Sequence, residues 1–339
     1  MQPIHTLHDF FVRSGAEVRL YHLGRRVEPC KMATLAALED DAAPWPAPWQ
    51  GQARLGLVFR LGDMQDPLIW FLALPLDEQG RLDPASRDAF VQRLLETLGR
   101  SVESVGREDG QAVDNLMKDN PLAFTPSLPF QAMLHARASC DLGRPASQHL
   151  EPVEAYLSGQ QALDWQALGL QGLADFAVRM GDEERRQLVA RLPDLPHAVL
   201  ISLCYCLEHV AIDGELAAAL RTRGEAAAEA GDVEALCACV RAVSGSEAAG
   251  AWFDSLLADA HACGPDLLAA IAARGWPLLE DGQRLPRYLE RLASCEQADF
   301  MTVARDLALI PRLRLPVLMT LREAPADSPI GRRLAALTR

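Results

Sequence analysis

Gly172-Leu-Ala-Asp-Phe-Ala-Val-Arg-Met180, Ser202-Leu-Cys-Tyr-Cys-Leu-Glu-His-Val210 and Ala235-Leu-Cys-Ala-Cys-Val-Arg-Ala-Val243 are variants of one apolar helical phrase. Weaker echoes run from Asp266 to Arg274 and from Phe300 to Ala308. The phrases start roughly 30–34 residues apart, a period at which each repeat is one helical pair stacked on the next. A stacked array offers partners a surface before it offers chemistry a pocket.

Outward from these phrases, Gly, Pro or Asp marks most joins, as at Gly181-Asp182, Pro193, Asp213-Gly214, Gly231-Asp232 and Gly264-Pro265. Helices are expected at roughly 130–141, 148–158, 161–180, 182–192, 195–210, 213–230, 232–244, 247–262, 265–274, 285–294, 297–309 and 315–323. No strand signal interrupts them. Asp119-Asn-Pro-Leu-Ala-Phe-Thr-Pro-Ser-Leu-Pro129 breaks regular structure, so 119–129 reads as a linker between a domain at 1–118 and an array at 130–339.

The N-terminal region has another texture. Ile4, Leu7, His8, Phe11 and Val12 follow helical spacing up to Gly15; Glu17–Leu23 reads as a strand and Met32–Leu38 as a short helix. Three prolines in Ala43-Pro-Trp-Pro-Ala-Pro-Trp-Gln50 fix φ and remove donors, which leaves an extended surface loop. Leu55, Leu57, Phe59 and Leu61 alternate with Arg54, Gly56, Val58 and Arg60, a strand with one buried face. Leu68-Ile-Trp-Phe-Leu-Ala-Leu74 is continuously apolar, which predicts a second strand covered on both faces, paired with the first as a hairpin. Asp83 then caps a helix with Pro84 at its first position and Gly99 beyond its end. Phe90, Val91, Leu94, Leu95 and Leu98 form its apolar stripe. The expected class is α+β: a small N-terminal α+β domain with a central hairpin, followed by an all-α array.

The 339 residues carry a net charge of −13, of which −4 lies in residues 1–150 and −9 in 151–339. An acidic surface repels a phosphate backbone, so nucleic acid is not the expected partner, and only the stretch from Arg305 onward runs basic. No apolar run is long enough to span a membrane, and the first residues do not have the pattern of a signal peptide. Eight cysteines in such a chain read as reduced thiols, and the expected location is the cytoplasm.

Several clusters invite a chemical reading. Cys204, Cys206, Cys237 and Cys239 suggest a four-thiolate metal site, but residues two apart on a helix point about 200° from each other. Their equivalent places in the phrase favour small residues packed between helices. His209, His261 and Cys263 match no ligand spacing on a helix face. There is no nucleophile elbow, and Gly106 to Gly110 lacks the ending of a phosphate loop. Asp182-Glu183-Glu184 suits the dipole of a first helical turn, and Asp77-Glu78 suits a turn. Arg25 and Arg26 at a turn either hold an anion or make surface ion pairs. Trp45 and Trp49 either anchor a partner or fold back to cap the hairpin core. Gln171 and Asp175, four apart, share a helix face suited to a hydrogen bond between repeats.

Gly24-Arg-Arg-Val27, Ile69-Trp-Phe-Leu-Ala-Leu-Pro-Leu-Asp-Glu-Gln-Gly80, Asn120-Pro-Leu-Ala-Phe-Thr-Pro126 and Leu168-Gly-Leu-Gln-Gly-Leu-Ala-Asp175 together resemble a bacterial family known only as a domain of unknown function. That resemblance covers essentially the whole chain and implies no activity, cofactor or catalytic residue. The C-terminal helices are similar to HEAT-type repeats, which by analogy implies scaffolding.

The expected function is therefore a non-catalytic adaptor that binds a protein partner through its array, with no cofactor or metal. The contrasting expectation is an enzyme or accessory subunit with a site between the N-terminal domain and the first helices, near Arg25, Arg26 and Asn120–Pro126.

Overall fold

The computed structural model describes residues 4–62, 64–101, 117–118, 120–159 and 164–336. The Gly106–Gly110 stretch, Asp119, the Leu98 side chain and the start of the helix expected from 161 lie outside the described residues. The chain is α+β. It divides into two compact units, Met1–Ser127 with Leu309–Pro311, and Leu128–Ala308 with Arg312–Arg339.

The first unit is built on an antiparallel sheet of β1 (Glu17–His22), β2 (Glu28–Cys30), β3 (Gln52–Arg60) and β4 (Leu68–Pro75), in the order β2-β1-β3-β4. β3 pairs with β4 from Gln52–Pro75 to Phe59–Leu68, the expected hairpin. Burial corrects the expectation for both strands. Gly56 and Val58 are buried as well as Leu55 and Leu57, so the middle of β3 is covered on both faces. β4 instead leaves Ile69 exposed, while Trp70, Leu72 and Leu74 are fully buried. β3 is an inner strand and β4 an edge strand, and apolar content alone does not reveal those positions.

Part of the expected linker belongs to this sheet. Ala73 donates to the Leu122 carbonyl at 2.7 Å and Phe124 to the Phe71 carbonyl at 3.2 Å. The Phe124 ring meets Phe71 edge-on and lies under the Arg54 guanidinium, covering the face that carries Gly56.

Among the described residues the unit also has three helices: α1 (Leu7–Ser14), α2 (Met32–Glu39) and α3 (Pro84–Ser101). Asp83 accepts from the Ala85 N–H, but α3 runs past Gly99 to Ser101; a helical glycine costs only about 1 kcal/mol and need not end a helix. Phe11, Phe59, Trp70 and Phe90 form an edge-to-face chain through the core, with centroids 4.7–6.1 Å apart. Glu39, at the end of α2, turns its buried carboxylate to the start of α1. It accepts the Leu7 and His8 N–H groups at 2.8 and 2.9 Å and meets Arg87 of α3 at 3.2 Å. Thr6 takes the Asp9 N–H, so side chains satisfy three orphan donors of α1.

The second unit contains α4 (Leu128–Asp141), α5 (Leu150–Leu157), α6 (Leu170–Arg179), α7 (Asp182–Arg191), α8 (His197–Leu207), α9 (Gly214–Glu229), α10 (Val233–Val243), α11 (Ala249–Ala258), α12 (Pro265–Arg274), α13 (Arg284–Ser294), α14 (Phe300–Leu309), α15 (Pro311–Glu323) and α16 (Pro329–Ala336). No strand occurs among its described residues. The expected 161–180 helix is shorter, because Asp164 caps a separate turn at Trp165–Ala167 and α6 starts only at Leu170. α15 begins at Pro311 and carries Pro316 inside it, where a start at 315 was expected; α16 was not anticipated.

The packing follows the repeated phrase. α4, α6, α8, α10 and α12 contact one another in succession, and α5, α7 and α9 do so beside them. Four of the five phrases lie on α6, α8, α10 and α12. Close approach requires glycine at several points, Gly172 and Gly224 among them. A Cβ on Gly172 would sit 2.1 Å from the His149 carbonyl oxygen, and one on Gly224 would sit 2.8 Å from Trp252.

Candidate functional site

Asp175, Glu208, Arg241 and Arg274 follow one another at steps of 33 residues, and Glu208 and Arg241 hold the same place in their phrases. Asp175 lies within α6, Glu208 at the end of α8, Arg241 within α10 and Arg274 at the end of α12. For the last three of these residues, equal spacing on successively packed helices becomes proximity in space. Glu208, only 2 % exposed, accepts Nε and Nη2 of Arg241 at 2.6 and 2.9 Å and Nε of Arg274 at 2.7 Å. Asp175, fully buried, takes the Ser147 N–H at 3.1 Å.

Burial alone would raise the Glu208 carboxyl. Arg274, the hydrogen bonds from Arg241 and the adjacent His209 together outweigh it and hold the group down at about 2. His209 Nε2 lies 3.5 Å from the carboxylate and its ring meets Phe130 edge-on at 4.9 Å. Each guanidinium also lies over an aromatic ring, Arg241 over Tyr205 at 4.8 Å and Arg274 over Phe130 at 5.6 Å. Two guanidiniums share one carboxylate, which gives this group a positive excess.

Arg241 also reaches a groove of about 380 Å³ over α8, α10 and α12. Its floor is small and apolar, with Cys237, Ala269, Ala270 and Ala273; Tyr205 and Arg241 stand at one end, and Val233, Glu234 and Asp266 at the other. Burial, with Asp266 adding to it, pushes the Cys237 thiol up to about 11. Burial pushes Cys206 up to about 12, and contact with Cys239 together with burial raises Cys204 well above the usual thiol range. These three thiols are therefore protonated at neutral pH, unlike an activated cysteine nucleophile. No grouping of three or more candidate metal ligands occurs among the described residues.

Residues 2–338 match the family described as "Protein of unknown function (DUF3549)". The chain belongs to this family. No curated protein and no solved structure matches it.

In this DUF3549 member the residues singled out by sequence take other places. Arg25 is 1 % exposed, donates from Nε to the Pro48 carbonyl at 2.8 Å and lies over the Trp49 ring. Arg26 is 8 % exposed and meets Glu28 at 3.5 Å. Trp45 is fully buried with its ring 4.7 Å from that of His22, so it folds back on the core; Trp49 is half-buried. Burial beside that ring lowers His22 to about 4. Gln171 donates to the Ala132 carbonyl of α4, and Asp175 bonds the connection that follows α4, which makes both of them ties between helices. Cys204, Cys206 and Cys239 are buried between helices, whereas Cys237 lines the groove. The Glu208–Arg241–Arg274 group was missed, although charged residues at a constant step within apolar phrases were a readable signal.

Proposed function

We propose that this protein is a non-catalytic interaction protein, a HEAT-like α-solenoid that binds a segment of a protein partner in the groove over α8, α10 and α12. The observation that carries this reading is the groove itself: an arginine and a tyrosine beside a floor of small residues. Arginine and tyrosine dominate the binding energy of many interfaces. Arg241 is already fixed by Glu208, so binding does not have to order it. A solenoid role suits the repeated phrase, since stacked repeats bind through extended surfaces. The net acidity favours protein over nucleic acid as the partner. The enzyme reading lacks a comparable support, because Arg25 bonds Pro48 and the Asn120 Oδ1 accepts from the Leu122 N–H.

The test is affinity purification of the tagged full-length protein from its host. Ala269→Arg fills the groove from an exposed position and is expected to abolish recovery of the partner, while Glu290→Ala, exposed on α13, retains it. Equal recovery with both variants, each shown to be folded by circular dichroism, refutes the groove as the binding surface.

A further inference from the structure

The groove has two ends of opposite charge. Glu234 and Asp266 stand in the first turns of α10 and α12, and both are exposed. The helix dipole favours acids there but supplies no counter-charge side chain. Asp266 makes no ion pair among the described residues, and Glu234 comes only within 3.9 Å of His197. At the other end, the pair with Glu208 uses Nε and Nη2 of Arg241 and leaves Nη1 outside it. Glu234 and Arg241 are two turns apart on α10, a separation of about 10 Å along its axis. Cys237 lies between them in sequence on α10 and lines the same groove; burial chiefly raises its thiol, Asp266 adds to this and Arg241 opposes it.

We infer that the groove, taken as the partner site proposed above, selects a polypeptide segment with a Lys or Arg at Glu234 and Asp266 and an Asp or Glu at Arg241. The segment is a polyproline II stretch with its two charges three residues apart. That conformation turns once in three residues and rises about 3.1 Å per residue, which puts such side chains on one face about 9 Å apart. An ordinary strand places residues three apart on opposite faces.

The test uses an array of proline-rich peptides with one Lys and one Glu set between one and about seven residues apart. It is probed with the full-length protein, with Ala269→Arg, and with Glu234→Lys combined with Asp266→Lys. Binding by the unaltered protein should peak at a separation of three, fall about tenfold or more in the charge-reversed variant, and weaken with salt. Replacing the peptide Lys by Glu should restore binding to the charge-reversed variant. A peak at another separation, binding indifferent to separation or to charge reversal, or no binding above background each overturns the inference. If Ala269→Arg still abolishes recovery of the host partner in any of those cases, the groove reading stands and only the charge selection fails. If Ala269→Arg leaves recovery unchanged, both fail.

Discussion

Each unit buries one glutamate among its described residues, and the two are held in opposite ways. Glu39 receives two main-chain N–H groups and one guanidinium; burial still dominates and its carboxyl is raised above the usual range. Glu208 receives two guanidiniums, and they outweigh burial and depress it to about 2. In the first unit the carboxylate serves a helix terminus, and in the second it serves three stacked helices. Main-chain donors fix position, whereas a second full charge decides ionisation.

The largest break in this contrast is expected from Glu208→Ala. It strands the buried Arg274 guanidinium and the half-buried one of Arg241 and should destabilise the second unit by about 3–5 kcal/mol, read as a lower urea midpoint. Acid comes next. A carboxyl depressed in the folded state stabilises above its unfolded value and loses that contribution as pH falls through its folded value. For Glu208 the window runs from about 4.5 down to about 2, and the loss is on the order of 3 kcal/mol. A stability profile equally flat there for the unaltered protein and Glu208→Gln would remove the assignment. Glu39 should show the opposite slope, because a raised carboxyl disfavours folding when ionised and is relieved as pH falls through its folded value towards 4.5. Glu39→Ala removes the cap of α1 and should cost about 1–2 kcal/mol in thermal or urea melts. Smallest is Arg221→Ala, which breaks an exposed i,i+4 pair with Glu225 and should shift stability by less than about 0.5 kcal/mol.

What the sequence conveyed depended on how local the deciding physics was. The β3–β4 hairpin, the cap at Asp83 and the four phrases on successive helices rest on spacing within a few residues, and all were readable. The burial of Gly56 and Val58 was not, because it depends on Phe124 arriving from the far side of α3. Trp45 and Arg25 were ambiguous for the same reason: whether a loop folds back is decided by what it meets. The paired cysteines of the phrases drew attention as reactive types, yet Cys204, Cys206 and Cys239 are packing residues. The charged rungs beside them were visible only by comparing one phrase with the next.

Apolar faces by themselves let neighbouring helices slip or rotate with little penalty. A bonded trio does not: one residue of slip turns a side chain by about 100° and moves it about 1.5 Å along the axis. Glu208, Arg241 and Arg274 thus act as a gauge across α8, α10 and α12. Within this part of the chain, a length change that keeps the trio together belongs in a loop and is compensated before the next rung.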